Sequence, residues 1–397
     1  MGHDLWTLFA STPRGLEALL AEELRTLGAE NVREARAGVS FEGDRTLAYR
    51  VCLWSRVAGR VLMKLADFPA ETPEALYAGV QQIDWATHVM PEGTLSVDGA
   101  SVQSTITHTH FAALKVKDAI VDQFRDRLGV RPSVDTKQPD LRVNVYLFRD
   151  RATLNIDLSG DSLHRRGYRV EGGGEAPLKE HLAAALLYKA RWPKIAKEGG
   201  ALLDPMCGSG TLVIEGAWMA GDVAPGLFRP HFGFENWLQH DAFVWRDLVH
   251  EAHQRREQGL KTLSPIVGSD WDEKMLALAK ENVLRARLDG VVTLEPCDVV
   301  DIQSHGDIPG LLITNPPYGE RMADVAAVRH LYDQMGQVLR DRFSGWMAAF
   351  FTGRPDLAPA LKLKPRRTYE FFNGTIPCKL MIYKLGQKKE QSEIWKS

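Results

Sequence analysis

Leu202-Leu203-Asp204-Pro205-Met206-Cys207-Gly208-Ser209-Gly210-Thr211 is the stretch that decides the fold. An apolar run ends in a carboxylate, two glycines follow two apart, and Thr211 opens a helical pattern. The reading is a strand, a tight turn and a helix. The glycines let backbone approach a ligand closely. A P-loop is excluded, because no Gly-Lys-Ser/Thr follows. The dinucleotide fingerprint fits poorly, since Val213 stands where its third glycine or alanine belongs. Asp204 would repel a pyrophosphate and suits a cationic ligand instead.

Outward from this loop, strand and helix patterns alternate. Strands are predicted at 201–204, 266–270, 291–297, 311–315 and 346–352. Helices are predicted at 180–190, 211–220, 273–287 and 325–342. That alternation implies a doubly wound, mainly parallel sheet. The end breaks the rule: strand patterns at 368–372 and 376–384 flank Asn373-Gly374, a strong hairpin signal. A parallel sheet closed by an antiparallel hairpin sets class I methyltransferases apart from dinucleotide dehydrogenases. The expected fold class is thus α/β with a Rossmann-like class I methyltransferase sheet. In that setting Asp204 suits the amino group and sulfonium of S-adenosylmethionine. Pro205, Cys207, Gly208, Gly210 and Thr211 complete the candidate cofactor loop.

Acids end the next two strands. Asp270 can accept from both ribose hydroxyls, and Asp298 from an adenine amine. The 59 positions from Thr211 to Asp270 exceed the ~20 of a dinucleotide site, so an insertion is required. Phe228, Phe232, Phe234, Trp237, Phe243 and Trp245 crowd it, as an accessory hydrophobic cluster or as a lid.

The most telling motif is Asn315-Pro316-Pro317-Tyr318-Gly319. An exocyclic amine shares its lone pair with its ring and is a poor nucleophile. The Asn315 side-chain oxygen and the Pro316 carbonyl can accept both amine hydrogens and favour a pyramidal nitrogen. Pro316 and Pro317 stiffen the backbone and hold Asn315 extended. Tyr318 can stack on the base. Catalysis is then orientation, with nitrogen and methyl ~3–3.5 Å apart. Asn315 also borders the cofactor site.

Residues 5–160 show shorter α/β patterns. A strand is predicted at 5–10, then a helix capped by Thr12-Pro13 and ended by Gly28. A strand at 32–41 and a helix at 45–58 follow. A second unit starts near Pro73, with a helix at 110–128 and strands at 141–148 and 152–158 about an Arg149-Asp150-Arg151 turn. Gly172-Gly173-Gly174 reads as a hinge or close-approach loop. The expected domains are 1–46, 47–158 and 159–390, with a polar tail at 391–397.

The chain has 397 residues, of which 44% are hydrophobic and 25% charged, too apolar for a disordered chain. No apolar run approaches the ~18 residues of a membrane span. The start lacks the features of a signal peptide, and Trp6 stands where a myristoylation motif needs Ser or Thr. Cys52, Cys207, Cys297 and Cys378 lie far apart, as expected of reduced thiols in a cytoplasmic protein. No metal is expected, His108-Thr109-His110 having no further ligands nearby. Net charge is −2, but residues 108–170 carry 12 basic and 8 acidic side chains. Residues 354–397 carry 10 basic and 4 acidic. A near-neutral total can hide a basic face for a polyanion. Lys115, Lys117, Arg165, Arg166 and Arg169 are the candidate RNA contacts.

From Leu8 to about Phe371 the chain resembles the THUMP-containing RNA guanine-N2 methyltransferases. Within them it is most similar to the guanine-N2 half of the bacterial fused large-subunit rRNA enzymes. Residues 9–17, 115–122, 157–164, 204–211 and 315–321 carry the likeness. The resemblance implies ferredoxin-like, THUMP and methyltransferase domains, S-adenosylmethionine as cofactor, and N2-methylation of one guanosine in 23S rRNA or a precursor large subunit. The guanine-N7 half of the fused enzyme is not matched, so its activity is not expected here. A transfer-RNA guanine-N2 enzyme, a DNA adenine-N6 or protein glutamine-N5 methyltransferase, and a non-enzymatic assembly factor are the alternatives.

Overall fold

The computed structural model describes residues 5–170, 178–318 and 322–386. The triple glycine at 172–174, Gly319 and the 391–397 tail lie outside them. Two compact units form: residues 1–165 with 229–251, and residues 166–228 with 252–397.

The first unit contains β1 (Trp6–Ser11), α1 (Glu17–Leu27), β2 (Glu30–Ala35), β3 (Gly38–Gly43), α2 (Arg45–Trp54) and β4 (Arg60–Pro69). It continues through α3 (Pro73–Val80), β5 (Thr94–Val102), α4 (Thr109–Leu128), β6 (Ser133–Val134), β7 (Leu141–Phe148) and β8 (Arg151–Asp157). One sheet in the order β2-β3-β1-β4-β8-β7-β5-β6 holds all eight strands.

Several local expectations are corrected here. Thr12-Pro13 does not cap α1. The Thr12 hydroxyl donates to the Val57 carbonyl (2.9 Å), and the chain turns through Gly15 at φ +91° before the helix begins. The single strand at 32–41 is a hairpin, β2 and β3, turning at Ala37 with φ +57°. Three strands were missed, the two-residue β6 among them. In β4, Arg60, Lys64 and Asp67 interrupt the apolar alternation. In β5, Gly99 interrupts it, because a Cβ there would come within 2.9 Å of Val145 on β7. The turn before β8 is as expected, with Arg149 and Asp150 both at positive φ, the type I′ geometry.

The aromatic insertion folds with this first unit, as a packed cluster. Tyr49 stacks on Phe234 at 4.1 Å, and Trp245 meets Phe234 edge-on at 5.0 Å. The Trp237 indole N–H donates to His88 Nδ1 at 3.1 Å. Arg229 donates to the carbonyls of Ser159, Asp161, Ser162 and Arg165. Phe228 belongs to the second unit, against Trp218. Residues 159–165 also stay with the first unit: Val61 donates to Ser159 Oγ at 2.7 Å and Leu163 to the Gly59 carbonyl at 2.8 Å.

The second unit opens with α5 (Glu180–Lys189), α6 (Trp192–Lys197), β9 (Leu202–Asp204) and α7 (Thr211–Ala220). α8 (Ala242–Gly259) carries the chain into it from the first unit. Then come β10 (Ile266–Asp270), α9 (Glu273–Arg285), β11 (Val292–Pro296), β12 (Leu311–Thr314) and α10 (Met322–Arg342). β13 (Met347–Thr352), β14 (Arg367–Asn373) and β15 (Ile376–Lys384) finish it. The sheet runs β11-β10-β9-β12-β13-β15-β14. The first five are parallel, and β15 is antiparallel to both neighbours. Leu203, Leu312, Phe350, Tyr332 and Leu339 are among its core residues. The hairpin lies one residue later than expected. Asn373 pairs with Ile376, so Gly374-Thr375 is the turn, with Gly374 at φ +62°. A single positive φ at the first turn position is type II′, which calls for glycine there. Strand order reverses across β9 and β12, the switch point where α/β sheets bind ligands beyond their carboxyl ends.

Candidate active site

β9 ends on Asp204, 2% exposed, whose Oδ1 accepts from the Met206 amide at 3.2 Å. The following loop is tied to β10. The Cys207 amide donates to the Ser269 carbonyl (2.9 Å) and the Gly208 amide to Asp270 Oδ2 (2.9 Å). Gly208 and Gly210 have φ of +52° and +84°, which L side chains adopt with strain. A Cβ at Gly208 would meet only Met275 Cε, at 3.7 Å, so the space above this backbone is open. Pro205, Cys207 and Thr211 are buried beneath it. Burial pushes the Cys207 thiol up. Burial, with the Asp270 charge behind it, pushes the Asp204 carboxyl up to about 7. A neighbouring cation would favour its ionised form.

Asp270 ends β10, and its Oδ1 accepts from the Asp272 amide at 3.0 Å. Asp298 follows β11, is exposed, and accepts from the Val300 amide at 3.1 Å. Gly268 lies level with Asp204, and Pro296 with Asp270, so the three acids step outward across adjacent strand ends. Trp271, 77% exposed, directly follows Asp270. Sequence reasoning missed it; the signal was an aromatic immediately after a strand-end acid.

Asn315 follows β12, on the other side of the switch point. Its Oδ1 accepts from the Tyr318 hydroxyl at 2.9 Å. The Cys378 thiol donates to that hydroxyl at 3.6 Å. The Tyr318 ring lies over Gly353, where a Cβ would come within 3.0 Å of its Cδ2. Tyr318 thus caps Asn315 as well as offering a ring. Pro316 is buried and Pro317 exposed. A carbonyl oxygen has two acceptor sites, so Asn315 retains one for a second donor.

Two candidate RNA residues are drawn to buried carboxylates. Arg166 is 1% exposed, with Nε 3.5 Å from Glu215, so no phosphate reaches it. Arg169 is engaged within the second unit. It donates to Glu180 (2.9 Å), the Leu178 carbonyl (2.9 Å) and Thr211 Oγ1 (3.1 Å). Asn282 on α9 extends this bracing, donating to the Ser209 carbonyl and accepting from the Val170 amide, both at 2.9 Å. Arg165 is exposed, 3.5 Å from Asp161. On α4, Lys115 lies 5.2 Å from the Tyr77 ring centre and Lys117 pairs with Asp118. Among the described residues, no helix is long and apolar enough to cross a membrane.

Three family descriptions match the chain: an RlmL ferredoxin-like domain at 7–62, a THUMP domain at 70–157, and an RMKL-like methyltransferase domain at 166–382. The ribosomal RNA large subunit methyltransferase K/L of Syntrophotalea carbinolica is 52% identical over 384 residues, 96% of this chain and 54% of that protein. Its namesake from Methylococcus capsulatus is 51% identical over 381 residues, 96% of this chain and 51% of that protein. The chain spans about half the length of these curated relatives. Among solved structures, a predicted N6-adenine-specific DNA methylase from Listeria monocytogenes superposes with a TM-score of 0.84 at 31% identity, covering 96% of this chain and 97% of that one. SMU.472, complexed with SAH, gives 0.84 at 30% identity, covering 98% and 100%.

Proposed function

The chain belongs to the RMKL-like methyltransferase family, and from that premise we propose that it methylates N2 of a specific guanosine in 23S rRNA, with S-adenosylmethionine as methyl donor. The observation carrying this reading is the placement of Asn315 and Tyr318 beyond β12, across the switch point from Asp204 and Asp270. The cradle fits the donor: open backbone at Gly208, a buried carboxylate for a cationic amine, and a second carboxylate for hydroxyls. Asp204 would hold the amine, Asp270 the ribose and Asp298 the adenine edge, and Trp271 would offer the ring a flat neighbour. When bound, the donor supplies an electrophilic methyl group on a sulfonium.

Asn315 Oδ1 and the Pro316 carbonyl would accept the two N2 hydrogens and favour a pyramidal nitrogen with its lone pair free to react. The methylated nitrogen sheds its proton readily, so no strong general base is required of the chain. Its protein ligands act by position. The THUMP segment, with Lys115, Lys117 and Arg165, holds the RNA, either 23S rRNA or a precursor large subunit, in the cytoplasm. Nucleoside mass spectrometry of rRNA and tRNA from a deletion strain tests the reading. Loss of N2-methylguanosine from 23S rRNA is expected; its loss from tRNA alone would overturn the substrate assignment.

A further inference from the structure

The basic excess at the C-terminal end is not used by the site described so far. Three of its cations gather where the chain enters β14, the edge strand of the catalytic sheet. Lys364, Arg366 and Arg367 are exposed where the chain enters that strand. None of the three has an acidic partner among the described residues, whereas Lys362 is paired with Asp333 and Lys379 with Glu370. Tyr369, two residues on from Arg367 and on the same face, carries the Lys189 ammonium 5.4 Å from its ring centre. An Arg367 guanidinium nitrogen lies 3.4 Å from the Tyr369 hydroxyl. Arg367 and Lys189 thus both approach Tyr369 on this edge.

That edge leads to the catalytic motif. From Arg367 to Asn373 the strand advances six residues, roughly 20 Å at ~3.4 Å each. At its far end the hairpin tip exposes Phe372 (47%) and Ile376 (42%). The tip touches the site directly. Ile376 and Tyr318 both lie over Gly353, whose added Cβ would be within 3.1 Å of each, and Cys378 donates to the Tyr318 hydroxyl. Unpaired cations at one end of this strand and an exposed apolar tip at the other, about 20 Å apart, suit an extended polymer. They match a single strand of nucleic acid, with phosphates for the cations and a base face for the ring.

We propose that the β14 edge and the β14–β15 tip form a second RNA-binding surface, on the catalytic unit, which holds the single-stranded segment flanking the target nucleotide and delivers it to Asn315. The inference rests on the RNA-methyltransferase reading and goes beyond it in naming where the substrate strand lies. Charges on an edge strand can also serve only to prevent edge-to-edge pairing, and the experiment separates the two roles.

The full chain is compared with the K364E/R366E/R367E variant and with Phe372→Ala. RNA affinity is measured from low to moderate salt on a 23S rRNA fragment and on total tRNA, alongside single-turnover methylation. Calorimetric SAH binding reports whether the cofactor site is intact. The triple variant is expected to bind RNA at least tenfold more weakly, and its log–log salt slope to flatten by about two units, at ~0.7 per lost single-strand contact. Phe372→Ala is expected to weaken RNA binding roughly tenfold by loss of stacking. SAH affinity stays unchanged in both. If the wild type methylates either RNA and the variants match its affinity and slope, the surface is overturned and the charges only guard the edge. If the wild type binds and methylates neither RNA, the underlying reading fails, and the surface with it.

Discussion

Asn315 has one side-chain oxygen and two claims upon it. The Tyr318 hydroxyl already donates to it, and an incoming amine must share or displace that bond. Asn315→Ala should lower turnover by roughly 10²-fold while SAH affinity is retained. If stacking were all that Tyr318 does, Tyr318→Phe would be nearly silent. The hydrogen bond changes that expectation: Phe leaves the Asn315 amide free to rotate, and a lost bond of ~1 kcal/mol should slow single-turnover methylation about fivefold. A rate equal to wild type would return Tyr318 to a stacking role alone. Asp204 gives a second prediction. Its folded-state pKa, about 7, lies above the unfolded carboxylate range. Between those values the folded chain holds more protons than the unfolded one, so stability falls as pH rises towards 7 and levels off above. Asp204→Asn should therefore melt higher than wild type at pH 8 without ligand. In the wild type, S-adenosylmethionine affinity should rise as pH climbs through about 7, because the ionised carboxylate is the form that holds the cationic amine. The Asn variant should bind weakly with no such dependence. A flat wild-type profile would remove Asp204 from the site. These residues were legible because each stands beside a glycine or proline that marks a strand end. Tyr318's partner was not, since spacing shows proximity but no hydrogen bond.

At the scale of elements, the strap from Arg166 to Val170 shows why charge alone misleads. A run of arginines reads as a phosphate-binding face, yet Arg166 and Arg169 point into the catalytic unit, because Glu215 on α7 and Glu180 on α5 offer buried carboxylates. Sequence holds no sign of that pairing, since the partners lie 49 and 11 positions away. Arg169 holds Thr211, the first residue of α7, and Asn282 holds Ser209. Arg169 and Asn282 thus brace the 208–211 turn proposed to hold the cofactor. The Arg169→Met/Glu180→Gln pair removes both charges and leaves neither buried alone. It should weaken SAH binding about 10–150-fold, the loss of a charged hydrogen bond at ~1.5–3 kcal/mol, while the salt dependence of RNA binding is unchanged. A flattened salt slope with intact SAH affinity would restore Arg169 to the RNA face. Parallel strands were readable from their apolar runs and the acids that end them. β4 and β5 were not, because charged residues and Gly99 break their patterns. The final hairpin was placed one residue early, because Asn-Gly suggests a type I′ turn where pairing of Asn373 with Ile376 sets a type II′ turn.

For the whole molecule, the chain passes from one compact unit to the other three times, near residues 165, 228 and 251. Composition marks only the first passage, where the arginine- and glycine-rich stretch begins. The other two are hidden, because an aromatic-rich insertion looks the same whether it packs on its own domain or on an earlier one. Phe232, Phe234 and Trp237 are buried with Tyr49 and His88 of the first unit. A cut at the apparent boundary therefore leaves part of the first unit attached to the second. Residues 166–397 alone should expose those aromatics and aggregate. The same fragment with 229–251 replaced by a Gly/Ser linker of equal length should be monodisperse and bind SAH within several-fold of the full chain. It should lose methylation of the rRNA fragment, because Lys115, Lys117 and Arg165 leave with the first unit. Size-exclusion chromatography, calorimetry and single-turnover methylation check the three outcomes. If the simple truncation is monodisperse, the aromatic segment is stable without the N-terminal unit, and its assignment to that unit is wrong.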